Sequence, residues 1–145
     1  MPYSVLADVL ARLPYENLVQ LTDDEQAGTV NLSRVMDAIA DADALIDGYL
    51  RGRHSLPLAI PAPALVRKLS VDLAIYHLYS RRLELVMPES MLERHKNATK
   101  ALERIQSGTI TLTAADKSDI PAPGEYRTQK TASDRVFSRT VLSRF

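Results

Sequence analysis

The sequence predicts an all-α protein, a small bundle of about four helices with a short β-like segment and an extended C-terminal arm. Three observations carry this. Apolar residues recur at i, i+3 and i+4 spacing through four stretches between Ser4 and Ser107. No proline falls inside those stretches, and Pro14, Pro57, Pro61, Pro63 and Pro88 stand at or between their ends, where proline can start or stop a helix without breaking one. After Thr113 the apolar pattern gives way to Ser, Thr, Lys and Arg punctuated by Pro121, Pro123 and Gly124. A chain of 145 residues suits one core, so the expected organisation is a helical domain over 1–112 and an arm over 113–145.

The first helix is expected from Ser4 to Leu13, with Val5, Leu6, Val9, Leu10 and Leu13 on one side, Ser4 as N-cap and Pro14 as the stop. A loop follows, carrying Thr22 to Gly28. The second helix runs from about Asn31 to Arg51, its apolar stripe formed by Leu32, Val35, Ile39, Ala42, Ile46, Tyr49 and Leu50, with Gly52 and Pro57 ending it. Pro61 and Pro63 lead into the third helix. There Leu65, Leu69, Leu73, Tyr76, Tyr79 and Leu83 form one stripe, and Val71, Ile75 and Leu78 a second. A helix apolar on two sides must be covered on two sides, either as the centre of the bundle or as a subunit interface. Val71, Ile75, His77 and Leu78 are the candidates for that interface. The fourth helix spans about Pro88 to Ser107, with Met91, His95, Ala98, Leu102 and Ile105 inward and Gly108 at its C′ position. Thr109 to Leu112 alternates in polarity, as a short strand would.

Composition excludes several classes of function. Eighteen basic residues balance eighteen acidic ones, so the net charge supplies none of the phosphate attraction that dominates nucleic-acid affinity. Cysteine is absent, which removes disulfides, thiolate metal sites and a cysteine nucleophile. The longest apolar stretch, Leu69 to Tyr79, is interrupted by Ser70, Asp72 and His77, so no membrane span is expected. The opening Met1-Pro2-Tyr3-Ser4 has none of the basic and apolar regions of a secretory leader.

The chemistry of catalysis or metal binding finds no foothold. The loop beginning at Asp23 superficially resembles a calcium loop, but aligned on Gly28 its twelfth position is Arg34, where a bidentate glutamate is required. His54, His77 and His95 stand far apart without metal-spaced partners, and His95 lies in an apolar stripe as a core histidine would. Asp37 with Asp41, and Asp43 with Asp47, are i, i+4 pairs that read as a solvated or partner-facing acidic surface. No nucleophile elbow or phosphate loop is present among five glycines. Neither catalytic residues, metal nor cofactor are therefore expected. Arg51, Arg53 and His54 follow the second helix, a basic stretch that could meet DNA or an acidic protein, though cations complementing a helix C-terminus account for Arg51 and Arg53.

The far end of the arm regains apolar character. Val136, Phe137, Val141, Leu142 and Phe145 interleave with Arg135, Arg139 and Arg144, the pattern of a tethered anchor that binds a partner. Each apolar side chain buried there would contribute about 1.5–3 kcal/mol before the cost of ordering the arm.

Four segments together carry a family resemblance. They are Leu6 to Leu13 (LADVLARL), Leu18 to Asp23 (LVQLTD), Ala40 to Leu50 (ADADALIDGYL) with Leu56-Pro57-Leu58, and Asp72 to Tyr79 (DLAIYHLY). The block from Ile46-Asp47-Gly48-Tyr49-Leu50 to Leu56-Pro57-Leu58 is the most specific. Over residues 3 to 112 the chain resembles a family of Mu-like phages and prophages that is similar to head–tail connector (adaptor) proteins. The resemblance implies a non-enzymatic virion protein of the neck, made in the host cytoplasm and assembled as a ring, commonly a dodecamer, under the portal. Its implied partners are its own copies, the portal protein, a downstream neck or tail protein, and DNA that passes through the channel without sequence-specific binding. No membrane partner is implied. In such connectors the C-terminal arm often reaches the portal, in keeping with an anchor at Arg135 to Phe145.

Two other readings have distinct signatures. A small helical DNA-binding regulator needs a basic recognition helix, yet the third helix carries only Arg67, Lys68, Arg81 and Arg82 among apolar residues. An enzyme or small-ligand carrier needs converging polar groups that the sequence does not reveal.

Overall fold

Proline decides where three helices begin. The computed structural model describes residues 2–58, 61–82 and 84–112, all within the first of the two units into which the chain divides, Met1–Thr113. Among the described residues there are five helices: α1 (Leu6–Leu10), α2 (Tyr15–Thr22), α3 (Leu32–Leu50), α4 (Ala64–Arg81) and α5 (Glu89–Gln106). Pro14, Pro63 and Pro88 are the N-cap residues of α2, α4 and α5, with φ of −55°, −51° and −60°. The ring fixes φ, and the extended ψ at each cap turns the chain before the first helical residue. α3 starts differently, on Asn31, whose side chain accepts from the Arg34 amide at 3.4 Å.

The all-α expectation holds, with three corrections in detail. The expected loop after Pro14 contains α2, whose Leu18 and Leu21 are fully buried. The first helix is shorter than Ser4 to Leu13, and Ser4 does not cap it. The Asp8 carboxylate accepts from the Val5 amide at 3.0 Å instead, while the buried Ser4 hydroxyl faces Ser70. Thr109 to Leu112 does not pair as a strand. Gly108 takes φ +79°, its amide donates to the Ile105 carbonyl at 3.0 Å, and the Ile110 amide reaches back to Arg104 at 3.1 Å. Those hydrogen bonds close the C-terminus of α5 and occupy the Ile110 backbone that a ladder would need.

α4 is the axis of the bundle, packed chiefly on α3 and then on α5. Val66, Leu69, Leu73 and Ala74 are buried, and so are Val71, Ile75 and Leu78 of the second stripe. Of the two roles open to that stripe, the structure fills the central one. Val71, Ile75 and Leu78 are covered chiefly by their own chain, although Val71 and Leu78 still border open grooves. α3 contributes Val35, Ile39, Ala42, Ile46 and Leu50, and α5 adds Ala98, Leu102 and Ile105.

Two polar clusters lock the short helices to this core. Three arginines converge on the C-terminus of α2, whose last carbonyls have no partner within the helix. Arg34 donates to the Thr22 carbonyl (2.5 Å), Arg81 to Leu21 (2.5 Å) and Arg82 to Gln20 (2.9 Å). Asp24 balances them through a two-pronged pair with Arg81 (2.6 and 2.9 Å) and ion pairs to Arg34 (3.1 Å) and Arg82 (3.4 Å). The hydrogen bond from Arg81 leads in drawing the Asp24 carboxyl down from 3.8 to about 2. Asp23 folds the loop by accepting from the Ala27 and Gly28 amides at 2.9 and 2.6 Å.

The second cluster holds the N-terminal segment. Asp43 accepts from the Tyr3 amide (2.8 Å) and the Ser70 hydroxyl (2.7 Å), and Asp47 accepts from the Tyr3 hydroxyl. Burial raises the Asp43 carboxyl above its ordinary value, an effect countered by the Ser70 bond. Asp43 and Asp47 therefore serve the interior of the fold, which corrects their reading as a solvated surface.

Candidate functional site

With the middle of α4 enclosed, what remains for recognition is its two ends and the outer surface of α3, α5 and the short helices. A concavity of about 620 Å³ lies between the end of α1, the first half of α4 and the middle of α5. Leu65 and Leu69 of α4 and Ala98 and Ala101 of α5 give it apolar walls. Arg12, Lys68 and Arg94 bring three cations to it. Asp72, 8% exposed, sits at its base, bound to Arg12 at 2.8 Å and within 3.9 Å of Arg94. A smaller groove of about 360 Å³ adjoins it, sharing Ala11, Arg12 and Lys68 and adding Arg67. The patch as a whole is cationic over an apolar base.

The N-terminal half of α3 carries further exposed groups. Leu32 and Met36, one turn apart, are 58% and 50% exposed. Asp37 and Asp41, farther round the same helix, are exposed, and they line a shallow groove of about 250 Å³ with Arg34, His77 and Arg81. His77 is half-buried, its Nε2 enclosed without a hydrogen-bond partner among the described residues. It is the one member of the expected interface set that is not buried.

The histidines do not assemble a site. His95 stacks on Tyr76 with ring centroids 3.8 Å apart, and His77 meets the same ring edge-on at 6.0 Å. Burial, then the His77 charge, lowers the His95 pKa. Both properties belong to a packing aromatic. Arg53, exposed near the end of α3, lies directly over Gly108, where an added Cβ would fall 1.5 Å from its guanidinium. No three His, Cys, Asp or Glu side chains among the described residues are grouped to hold a metal ion. No described helix is long and apolar enough to cross a membrane.

The expected anchor residues Arg135, Val136, Phe137, Arg139, Val141, Leu142, Arg144 and Phe145 lie outside the described residues. Sequence reasoning missed the cationic groove because its parts are scattered over three helices. One local signal was present: Arg94, Asn97 and Ala101 fall at i, i+3 and i+7 on α5, a polar-to-small stripe rather than a uniformly charged outer face.

Comparison with known proteins agrees with the resemblance and extends it along the chain. Gene product J of Escherichia phage Mu is 29% identical over 140 residues, covering 96% of this chain and 96% of that protein. The Mu-like prophage FluMu protein gp36 of Haemophilus influenzae is 26% identical over 143 residues, covering 99% of this chain and 97% of that protein. Both alignments run well past Thr113, so similarity includes the arm that the quoted segments leave out. The profile of the family described as Bacteriophage Mu, Gp36 matches residues 3–130. The chain belongs to that family.

Proposed function

We propose that this protein is a structural connector of a Mu-like phage particle, a neck component that joins head to tail. Subunits assemble in the host cytoplasm and close into a ring, a dodecamer as in other connectors, beneath the portal. The ring continues the DNA channel, docks the next neck or tail protein, and holds the portal through the arm residues Arg135 to Phe145. No catalytic step is assigned to it.

The observation that carries this reading is the near full-length similarity to gene product J of phage Mu and to its prophage counterpart, joined to the connector-like segments in α3 and α4. The geometry is compatible with it. Core packing uses up the middle of α4 and leaves separate surfaces on the outer sides of α3 and of α5, and a ring requires two different contact faces on each subunit. The many weak contacts of a ring of arms would hold collectively. The regulator reading lacks a matching feature: the middle of α4 is enclosed and cannot lie in a DNA groove.

The test is deletion of the gene from its phage or prophage, followed by induction and negative-stain electron microscopy. The proposal expects unjoined heads and tails, rescued by the full chain and not by a chain ending at Thr113. Intact infectious particles from the deletion would reject it. A gel shift with duplex DNA at moderate salt is expected to show no sequence-specific complex; a specific one would favour the regulator.

A further inference from the structure

We infer that neighbouring subunits meet by seating the apolar, acidic segment of residues 84–93 from one copy in the cationic groove between α1, α4 and α5 of the next. This rests on the ring reading above and assigns its contact faces.

The segment joins α4 to α5 and opens α5, and its apolar side chains lack cover. Val86 is 93% exposed, the most open of the large apolar side chains among the described residues, and Leu85 and Leu92 are exposed with it. Three carboxylates share the stretch. Glu84 reaches only Arg82, at 3.7 Å, and Glu89 and Glu93 have no ion pair among the described residues. Glu89 and Leu92, three residues apart, fall on one flank of α5, with Glu93 one turn beyond Glu89. The cations just before the segment do not offset it, because Arg81 and Arg82 are engaged by the last carbonyls of α2 and by Asp24.

The groove has the inverse character. Leu65, Leu69, Ala98 and Ala101 form an apolar base within about 620 Å³. Arg12 neutralises Asp72 at 2.8 Å, which leaves Lys68 and Arg94 in excess, and Arg67 joins Lys68 in the adjoining groove. Arg94 comes no closer to Asp72 than 3.9 Å, so its guanidinium can take a second carboxylate. Asp8, which lines the adjoining groove, is turned back onto the Val5 amide at 3.0 Å. Apolar anchors seated in a pocket with opposite charges around them are the pattern of a specific contact.

Charge decides the occupant. The segment docked on its own copy would set glutamates against glutamates, and the groove docked on its own copy would set cations against cations; like-charge juxtaposition suppresses both. Leu32 and Met36 bring no such complement, since Asp37 and Asp41 lie farther round α3 and share their groove with Arg34 and Arg81. A DNA backbone would match the cations but leave the apolar base and Val86 uncovered.

One subunit can make both contacts at once. The groove is built on the first half of α4, the segment follows the end of that helix, and the two share no residue. Leu92 and Arg94, two positions apart, lie on opposite flanks of α5. A contact between different faces is heterologous, and such contacts repeat around a ring when the rotation closes.

The chain has no cysteine, so introduced cysteines report the contact without background. Complement the deletion phage with a chain carrying both Val86→Cys and Ala101→Cys, purify the particles, and treat them with a short bismaleimide. From the start of α5 to Ala101 the helix rises about 18 Å, beyond the reach of such a reagent within one subunit. The inference expects a ladder of cross-linked multimers from the double variant and none from either single variant. Dimers from a single variant would show a symmetric contact and overturn it, as would a cross-link from position 86 to a different virion protein. Particles that contain the double variant and give no ladder would overturn the assigned faces and leave the connector reading intact. Parental particles lacking this chain would overturn both. As a second measurement, Glu89→Lys with Glu93→Lys is expected to abolish infectivity, and adding Arg67→Glu with Lys68→Glu to restore it. Full infectivity of the first variant, or no restoration while every variant keeps the parental melting temperature, would also overturn the assignment.

Discussion

α4 and α5 have the same length, and both begin on a proline, yet they do opposite work. α4 buries residues on all sides, including Ser70 and Asp72, whereas α5 buries only Ala98, Leu102 and Ile105. The difference teaches that in this small bundle one helix supplies the core for all the others. The remaining helices each keep one side attached and one side free. Stability should therefore be concentrated on α4 and its partners, and recognition on the outer sides of α3 and α5.

The sharpest way to break the comparison is to cut α4 at its core and α5 on its outer face. Leu73→Ala, at a site with no exposure, should cost about 2–5 kcal/mol in a denaturant melt. Lys100→Ala on the outer face of α5 should stay within about 0.5 kcal/mol. Equal losses would mean that α5 is as deeply built in as α4.

Asp72 sharpens the boundary between the two helices, since it is a core group of α4 that serves the groove. Asp72→Ala should cost about 1–3 kcal/mol by leaving Arg12 without its partner. Arg94→Ala, at 3.9 Å from the same carboxylate, should cost less than about 1 kcal/mol.

Tyr3 tests the N-terminal lock. Tyr3→Phe removes its hydrogen bond to Asp47, an expected loss of about 1 kcal/mol. Burial foremost, and then that hydrogen bond, pushes the phenol from 10.0 up to about 12. Because the folded value is the higher, the stabilising contribution is complete below pH 10.0 and disappears as pH rises through about 12. Absorbance titration should show one tyrosine ionising late, and Tyr3→Phe should abolish that step.

The smallest effect expected is at Asp24, on the surface. Its folded pKa, about 2, lies below the ordinary 3.8, so its contribution is complete above 3.8 and vanishes as pH falls through about 2. Asp24→Asn should remove that contribution at neutral pH, so that its stability curve runs slightly below the parent's above pH 3.8 and converges with it as pH falls through about 2.

Much of this was legible in the sequence, and the misses have physical causes. α3, α4 and α5 were readable because each repeats its apolar stripe over several turns between clear stops. α2 escaped notice because eight residues offer only Leu18 and Leu21 as a stripe, and its C-terminus is finished by Arg34, Arg81 and Arg82 from elsewhere. Thr109 to Leu112 alternated like a strand, but Gly108 and the returning Ile110 amide ended α5 there instead. Asp43 and Asp47 looked solvated because their partner, Tyr3, lies forty residues away in the chain. The second stripe of α4 announced double coverage correctly, but periodicity alone does not say whether the cover is the same chain or another. The groove was invisible for the same reason, being assembled from α1, α4 and α5.

The measurement that bears most directly on the central claim is a cryo-EM reconstruction of the neck of the phage particle. The account predicts a closed ring between portal and tail in which the helical unit of residues 2–112 fits each repeat. A neck with no density for this chain, or the chain located elsewhere in the particle, would contradict it.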